Sequence, residues 1–180
     1  NLILRAAHLF RERTGLGQRF AFDLEKRIPM GAGLGGGSSN AAVALKVMNE
    51  LTGAPLDGSA LIDLASRLGS DCPFFIDGVP AEMTGRGECL RPRPESAMEG
   101  LRGCRVVLFK PNFSISTAFA YGQLAAAGGA FYESEAAAIR RRDAFYESGD
   151  LGDLLYNSFE DCVGRKYLAI PTLLEMLREQ

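Results

Sequence analysis

The run Pro29-Met30-Gly31-Ala32-Gly33-Leu34-Gly35-Gly36-Gly37-Ser38-Ser39 constrains this chain more than any other stretch. Upstream, Phe20, Phe22, Leu24 and Ile28 alternate with Ala21, Asp23, Glu25 and Arg27, the period of a half-buried strand. Downstream, residues 40–49 are rich in helix formers. The predicted order is therefore strand, glycine loop, helix. Glycines let backbone amides close on a ligand, and a helix N-terminus adds unpaired donors and partial positive charge. Such a loop is suited to phosphate.

Two phosphate motifs can be weighed on the residues alone. A Walker loop ends in Gly-Lys-Ser/Thr because its lysine reaches the outer phosphates, and no lysine stands between Gly37 and Ser38. Gly31-x-Gly33-x-x-Gly36 does match the dinucleotide fingerprint. The acidic residue at the required distance, Asp57, opens a predicted helix where the fingerprint needs the end of a strand. A merely tight strand-to-helix turn remains the structural alternative.

Around the loop, residues 2–13 predict an amphipathic helix capped by Asn1 and stopped at Thr14-Gly15-Leu16-Gly17. The helix after the loop runs from about Ser38 to Leu51. Another follows, capped by Asp57 or Ser59, with Ala60, Leu61, Leu64, Ala65 and Leu68 inward and Gly69 as a left-handed cap. Pro73 then leaves Asp71 on a turn. Strand signals cover Phe74–Ile76, Ala81–Thr84, Glu88–Leu90 and, most clearly, Cys104–Phe109. Helices are expected over residues 118–127, 133–142, 157–166 and 171–180, the second with Arg140-Arg141-Arg142 at its C-terminal end. That triple arginine reads as a solvated helix end, with phosphate binding the alternative, and His8 as an exposed helix residue.

A net charge of −2 gives no electrostatic case for nucleic acid or an anionic membrane. No apolar run has the length of a membrane span. Cys72, Cys89, Cys104 and Cys162 are scattered without a Cys-x-x-Cys pair, so reduced thiols in a cytoplasmic protein are expected, with no zinc site. The chain opens without methionine inside a helical pattern and stops within another, and so reads as a fragment.

Residues 28–42, from Ile28-Pro29-Met30 through Gly-Leu-Gly-Gly-Gly-Ser-Ser-Asn-Ala-Ala, resemble the nucleotide loop of the GHMP small-molecule kinases. Leu68-Gly69-Ser70-Asp71-Cys72-Pro73-Phe74-Phe75 resembles the family's second hallmark. Gly85-Arg86-Gly87-Glu88, Pro111 with Ser116-Thr117, and Asn157-Ser158-Phe159-Glu160 follow in family order. The wording is nearest to the branch acting on a cytidyl-bearing methylerythritol in non-mevalonate isoprenoid synthesis.

The resemblance implies an α+β fold. Residues 1–102 would belong to an ATP-binding half related to the second domain of ribosomal protein S5, and residues 103–180 to a smaller C-terminal half. It implies that Pro29, Met30, Gly31, Ala32, Gly33, Leu34, Gly35, Gly36, Gly37, Ser38 and Ser39 wrap ATP, with Mg²⁺ required and its ligands unassigned. Asp71 would take the substrate proton; a capping turn residue is the alternative. Tyr121 would stack on cytosine, or else be a core aromatic beside Phe119. The family's Lys-x-Asn strand, its Asp-Gly-Tyr-His segment and its last glycine-rich motif are not among these residues. Neither Lys26 nor Lys46 is assigned the lysine's role, and weak turnover is expected of the 180 residues by themselves. A homoserine or mevalonate kinase of the same family, or a non-catalytic nucleotide-binding module, are the rival readings.

Overall fold

The computed structural model describes residues 1–178 apart from Arg86 and Glu88, so the expected role of the Gly85–Glu88 motif lies partly outside the described residues. The chain divides into two compact units, Asn1–Leu108 and Phe109–Gln180.

Helices form the first unit's core. Helix α1, Leu2–Thr14, is capped as expected: the Ile3 amide donates to Asn1 Oδ1 at 3.0 Å, and Gly15 closes it in the left-handed region at φ 68°. Helix α2 spans Gly36–Leu51 and α3 spans Gly58–Leu68. Asp57 caps α3 by accepting from the Ala60 amide at 2.8 Å. Ile3, Ala6 and Phe10 of α1 meet Ala41, Ala42, Leu45 and Met48 of α2, and Leu61, Leu64, Ala65 and Leu68 of α3 complete the core. The alanines let α1 and α2 approach closely, while each fully buried leucine contributes about 1.5–3 kcal/mol. Buried Asn49 bridges α2 to the next turn. Its Nδ2 donates to the Leu56 carbonyl at 2.8 Å, and its Oδ1 accepts from the Leu56 amide at 3.0 Å.

A single hairpin, β1 (Ala81–Thr84) and β2 (Cys89–Pro92), pairs antiparallel from Ala81↔Pro92 to Thr84↔Cys89. The fold is accordingly α+β, with helices dominant over a small sheet.

Several expected elements differ. Residues 20–28 and 104–109 carry strand patterns, yet neither is a strand. A strand needs a hydrogen-bonded neighbour, and among the described residues β1 and β2 pair only with each other. Phe20 instead sets its ring edge-on to Phe10, centroids 6.1 Å apart, whereas Val107 is left 92% exposed. Phe74–Ile76 belongs to a short helix, α4 (Phe74–Asp77), because Pro73 already holds helical dihedrals of −56° and −39°. Gly69 has φ 172°, which is extended backbone and not a left-handed cap.

In the second unit, α5 (Thr117–Ala126) packs on α7 (Phe159–Gly164) through Ala120, Leu124, Cys162 and Val163. Between them, α6 runs Glu135–Ser148, longer than expected, so Arg140–Arg142 lie within the helix and not at its end. Arg141 pairs with Glu133 at 2.7 Å and Arg142 with Asp143 at 2.7 Å. Helix α8, Ala169–Arg178, starts two residues before Pro171. His8 is exposed, as expected, and reaches Glu12 at 3.3 Å.

Candidate active site

The Pro29–Ser39 loop forms most of a cleft of about 430 Å³, completed by Leu2, residues 25–28 and Asn40. Gly31, Gly33 and Gly35 have φ of 66°, 71° and 65°, a conformation that L side chains rarely adopt. At Gly35 and Gly36 space is short as well. A Cβ at Gly35 would lie 2.8 Å from Phe75 Cζ, and one at Gly36 would lie 3.1 Å from Ile28 Cγ2. The loop is therefore clamped between Ile28 and Phe75.

Helix α2 begins two residues earlier than the sequence pattern predicts, so Ser38 and Ser39 lie in its first turn. No side chain caps it. Among the described residues, nothing accepts from the amides of Gly36, Gly37 and Ser38. Ser38 lines the cleft, whereas neither Ser39 nor Asp71 is among its lining residues.

Lys26 also lines the cleft. The sequence pattern set it aside as a strand residue; its place three positions before Pro29 was the available signal. Arg27 is engaged in a bidentate pair with Glu25 at 3.1 Å through both nitrogens. Lys46 points elsewhere, donating to the Ile76 carbonyl at 3.0 Å.

Asp71 sits on the turn between α3 and α4. The Cys72 amide donates to the Gly69 carbonyl at 3.1 Å, and Cys72 and Pro73 are buried beneath the turn. The Asp71 carboxylate remains exposed. Burial pushes the Cys72 thiol up, opposed by a hydrogen bond from the Ser38 hydroxyl and reinforced by the Asp71 charge. The geometric link between the loop and this turn is Phe75 of α4, whose ring lies against Gly35.

Tyr121 lies on α5 of the second unit, 58% exposed, its ring edge-on to Phe159 with centroids 5.1 Å apart. Phe119 faces Tyr167 instead. Asn157 Oδ1 accepts from the Phe159 amide at 3.0 Å and so serves the start of α7. Among the described residues, no three His, Cys, Asp or Glu side chains converge to hold a metal ion, and no helix is long and apolar enough to cross a membrane.

The glycine cradle thus opens onto an uncapped helix, and the aspartate turn leads into α4, whose Phe75 packs on Gly35. Residues 1–79 match the model for the GHMP kinases N terminal domain. The chain is similar to 4-diphosphocytidyl-2-C-methyl-D-erythritol kinase. The Synechococcus sp. (strain CC9902) protein of that name is 39% identical over 188 residues, covering 99% of this chain and 60% of the relative. The Protochlamydia amoebophila (strain UWE25) protein is 43% identical over 124 residues, 69% of this chain and 41% of the relative. The chloroplastic protein of Arabidopsis thaliana is 45% identical over the same length, 32% of its own. The chain thus spans about a third to three fifths of these relatives. A crystal structure of 4-(cytidine 5'-diphospho)-2C-methyl-D-erythritol kinase superimposes with TM-score 0.74 and 31% identity, covering 99% of this chain and 62% of that one.

Proposed function

We propose that the polypeptide transfers the γ-phosphoryl group of ATP to the C2 hydroxyl of 4-diphosphocytidyl-2-C-methyl-D-erythritol, in non-mevalonate isoprenoid precursor synthesis. The observation that carries this reading is the uncapped start of α2, opening onto the glycine cleft, with Phe75, four residues beyond Asp71, packed against Gly35.

The residues present fit a polyphosphate. Amides of Gly36, Gly37 and Ser38 lack acceptors, and the Lys26 ammonium lies on the same wall. The loop from Pro29 to Ser39 would hold the ATP phosphates, with the Ser38 and Ser39 hydroxyls at its helical end. ATP would supply the transferable phosphoryl group, and Mg²⁺ bound to its phosphates would neutralise part of their charge. Protein carboxylates do not assemble a metal cage here, which suits Mg²⁺ arriving on phosphates with most of its waters. Asp71, exposed on its turn, accepts the proton of the attacking hydroxyl, the task that phosphoryl transfer leaves to a carboxylate. Tyr121 offers an open ring face for cytosine.

We assign residues 1–102 to the ATP-binding domain and 103–180 to the C-terminal domain of this enzyme. The four free thiols accord with a cytoplasmic location.

The test is phosphorylation assayed with the full-length polypeptide across cytidyl-methylerythritol, homoserine and mevalonate substrates. ATP-dependent phosphorylation confined to the first is expected, and Asp71→Asn should lower kcat about 10²–10⁴-fold. Preference for another alcohol would reassign the substrate. Undiminished turnover in Asp71→Asn would remove the aspartate from its role and favour a nucleotide-binding module.

A further inference from the structure

The proposed reaction needs the Asp71 turn held at a fixed place relative to the phosphate loop, because misplacing a catalytic group by 1 Å can cost about a hundredfold in rate. The turn has little rigidity of its own. It leads into α4, a helix of only four residues. The Gly78 amide donates to the Phe74 carbonyl and closes that helix, leaving the Ile76 carbonyl among its unpaired C-terminal acceptors.

Lys46 fills that vacancy. Its half-buried side chain leaves α2 and donates from Nζ to the Ile76 carbonyl at 3.0 Å, the only described bond to that oxygen. An ammonium is the favoured partner for the last carbonyls of a helix. Lys46 lies eight residues beyond Ser38 on α2, about 12 Å along the helix axis. The segment 69–77 is thereby attached at two separated places: near the loop by the Phe75 ring against Gly35, the residue that precedes α2, and farther along by Lys46. Two attachments fix an orientation where one leaves a pivot.

We propose that Lys46 is a positioning residue, holding α4 against α2 so that Asp71 keeps its place beside the phosphate loop. This rests on the kinase reading above. The surrounding apolar contacts, Ile76 and Cys72 in the common core, supply cohesion without direction; the Lys46 bond supplies the direction.

The test uses Lys46→Met, which keeps the length and loses the donor, and Lys46→Arg, which keeps a donor, both in the full-length polypeptide. For Lys46→Met, kcat should fall about five- to tenfold. The KM for ATP should stay within about twofold, because the loop itself is untouched. Amide exchange over residues 74–78 should accelerate, and Lys46→Arg should recover most of both effects. Wild-type kcat in Lys46→Met would overturn the proposal, as would equal losses in both variants accompanied by a lower Tm. If the wild-type protein transfers no phosphoryl group, the functional reading fails. The exchange measurement then decides the tie alone: acceleration in Lys46→Met upholds it and unchanged exchange removes it.

Discussion

The ring of Phe75 lies against Gly35 so closely that a methyl carbon there would come within 2.8 Å of Cζ. Gly35 is also left-handed, at φ 65°. Gly35→Ala therefore carries two penalties, about 1–2 kcal/mol for the backbone and a further cost for displacing the ring. The unfolding midpoint in urea should fall accordingly. Combining it with Phe75→Leu should recover the steric part alone, and full recovery would show that the backbone conformation is not strained.

Asn49 satisfies both backbone groups of Leu56 from a site that is 6% exposed. Asn49→Ala leaves a half-buried amide and a half-buried carbonyl of Leu56 without partners, together costing about 1–3 kcal/mol. Chemical denaturation should register a loss in this range, and rapid amide exchange should appear at Leu56. A loss below about 0.5 kcal/mol would mean that water replaces the side chain fully.

Asp57 has its pKa lowered first by the Ala60 amide and next by the Ser59 hydroxyl. A carboxylate depressed in the folded state stabilises above its unfolded pKa, and that contribution disappears as pH falls through the folded one. The wild-type protein should thus lose stability on acidification below about pH 4. Asp57→Asn retains a capping oxygen without a charge and should flatten this limb of the curve. An identical acid limb in Tm-against-pH measurements would assign it to other carboxylates.

Tyr121 presents its ring outward, with only an edge contact to Phe159. If it stacks on cytosine, Tyr121→Ala should raise the KM for the cytidyl substrate by about ten- to a hundredfold, in keeping with about 1–3 kcal/mol per stacked base. Tyr121→Phe should bind nearly as well as wild type. The KM for ATP is the control and should not move.

What the sequence disclosed is what local chemistry determines. Asn1, Gly15 and Asp57 mark helix ends within one turn of the residues they serve, and all three are where the pattern places them. The glycine loop is legible for the same reason, since its backbone conformation is a property of its own residues. The runs at 20–28 and 104–109 look equally persuasive, but a strand depends on a partner distant in sequence, and alternation alone does not provide one. Phe74–Ile76 shows the opposite case: an aromatic and β-branched run overridden by the helical dihedrals of a single preceding proline. At the site, Asp71 on its turn could be anticipated. The buried Cys72 beneath it, Lys26 on the cleft wall and the reach of Lys46 to Ile76 are tertiary facts, with no spacing rule to announce them.

Four helices are finished by their own neighbours: Asn1, Asp57, Ser116 and Ser134 each lend an oxygen to the first turn. Helix α2 has glycine in that position and no such oxygen. A phosphate seated in the loop would act as its missing cap, so that occupancy and the integrity of the first turn become one equilibrium. A bound nucleotide would then raise thermal stability by mass action, in proportion to the logarithm of its concentration above Kd, and would do so from the end of the helix that borders Phe75 and the Asp71 turn.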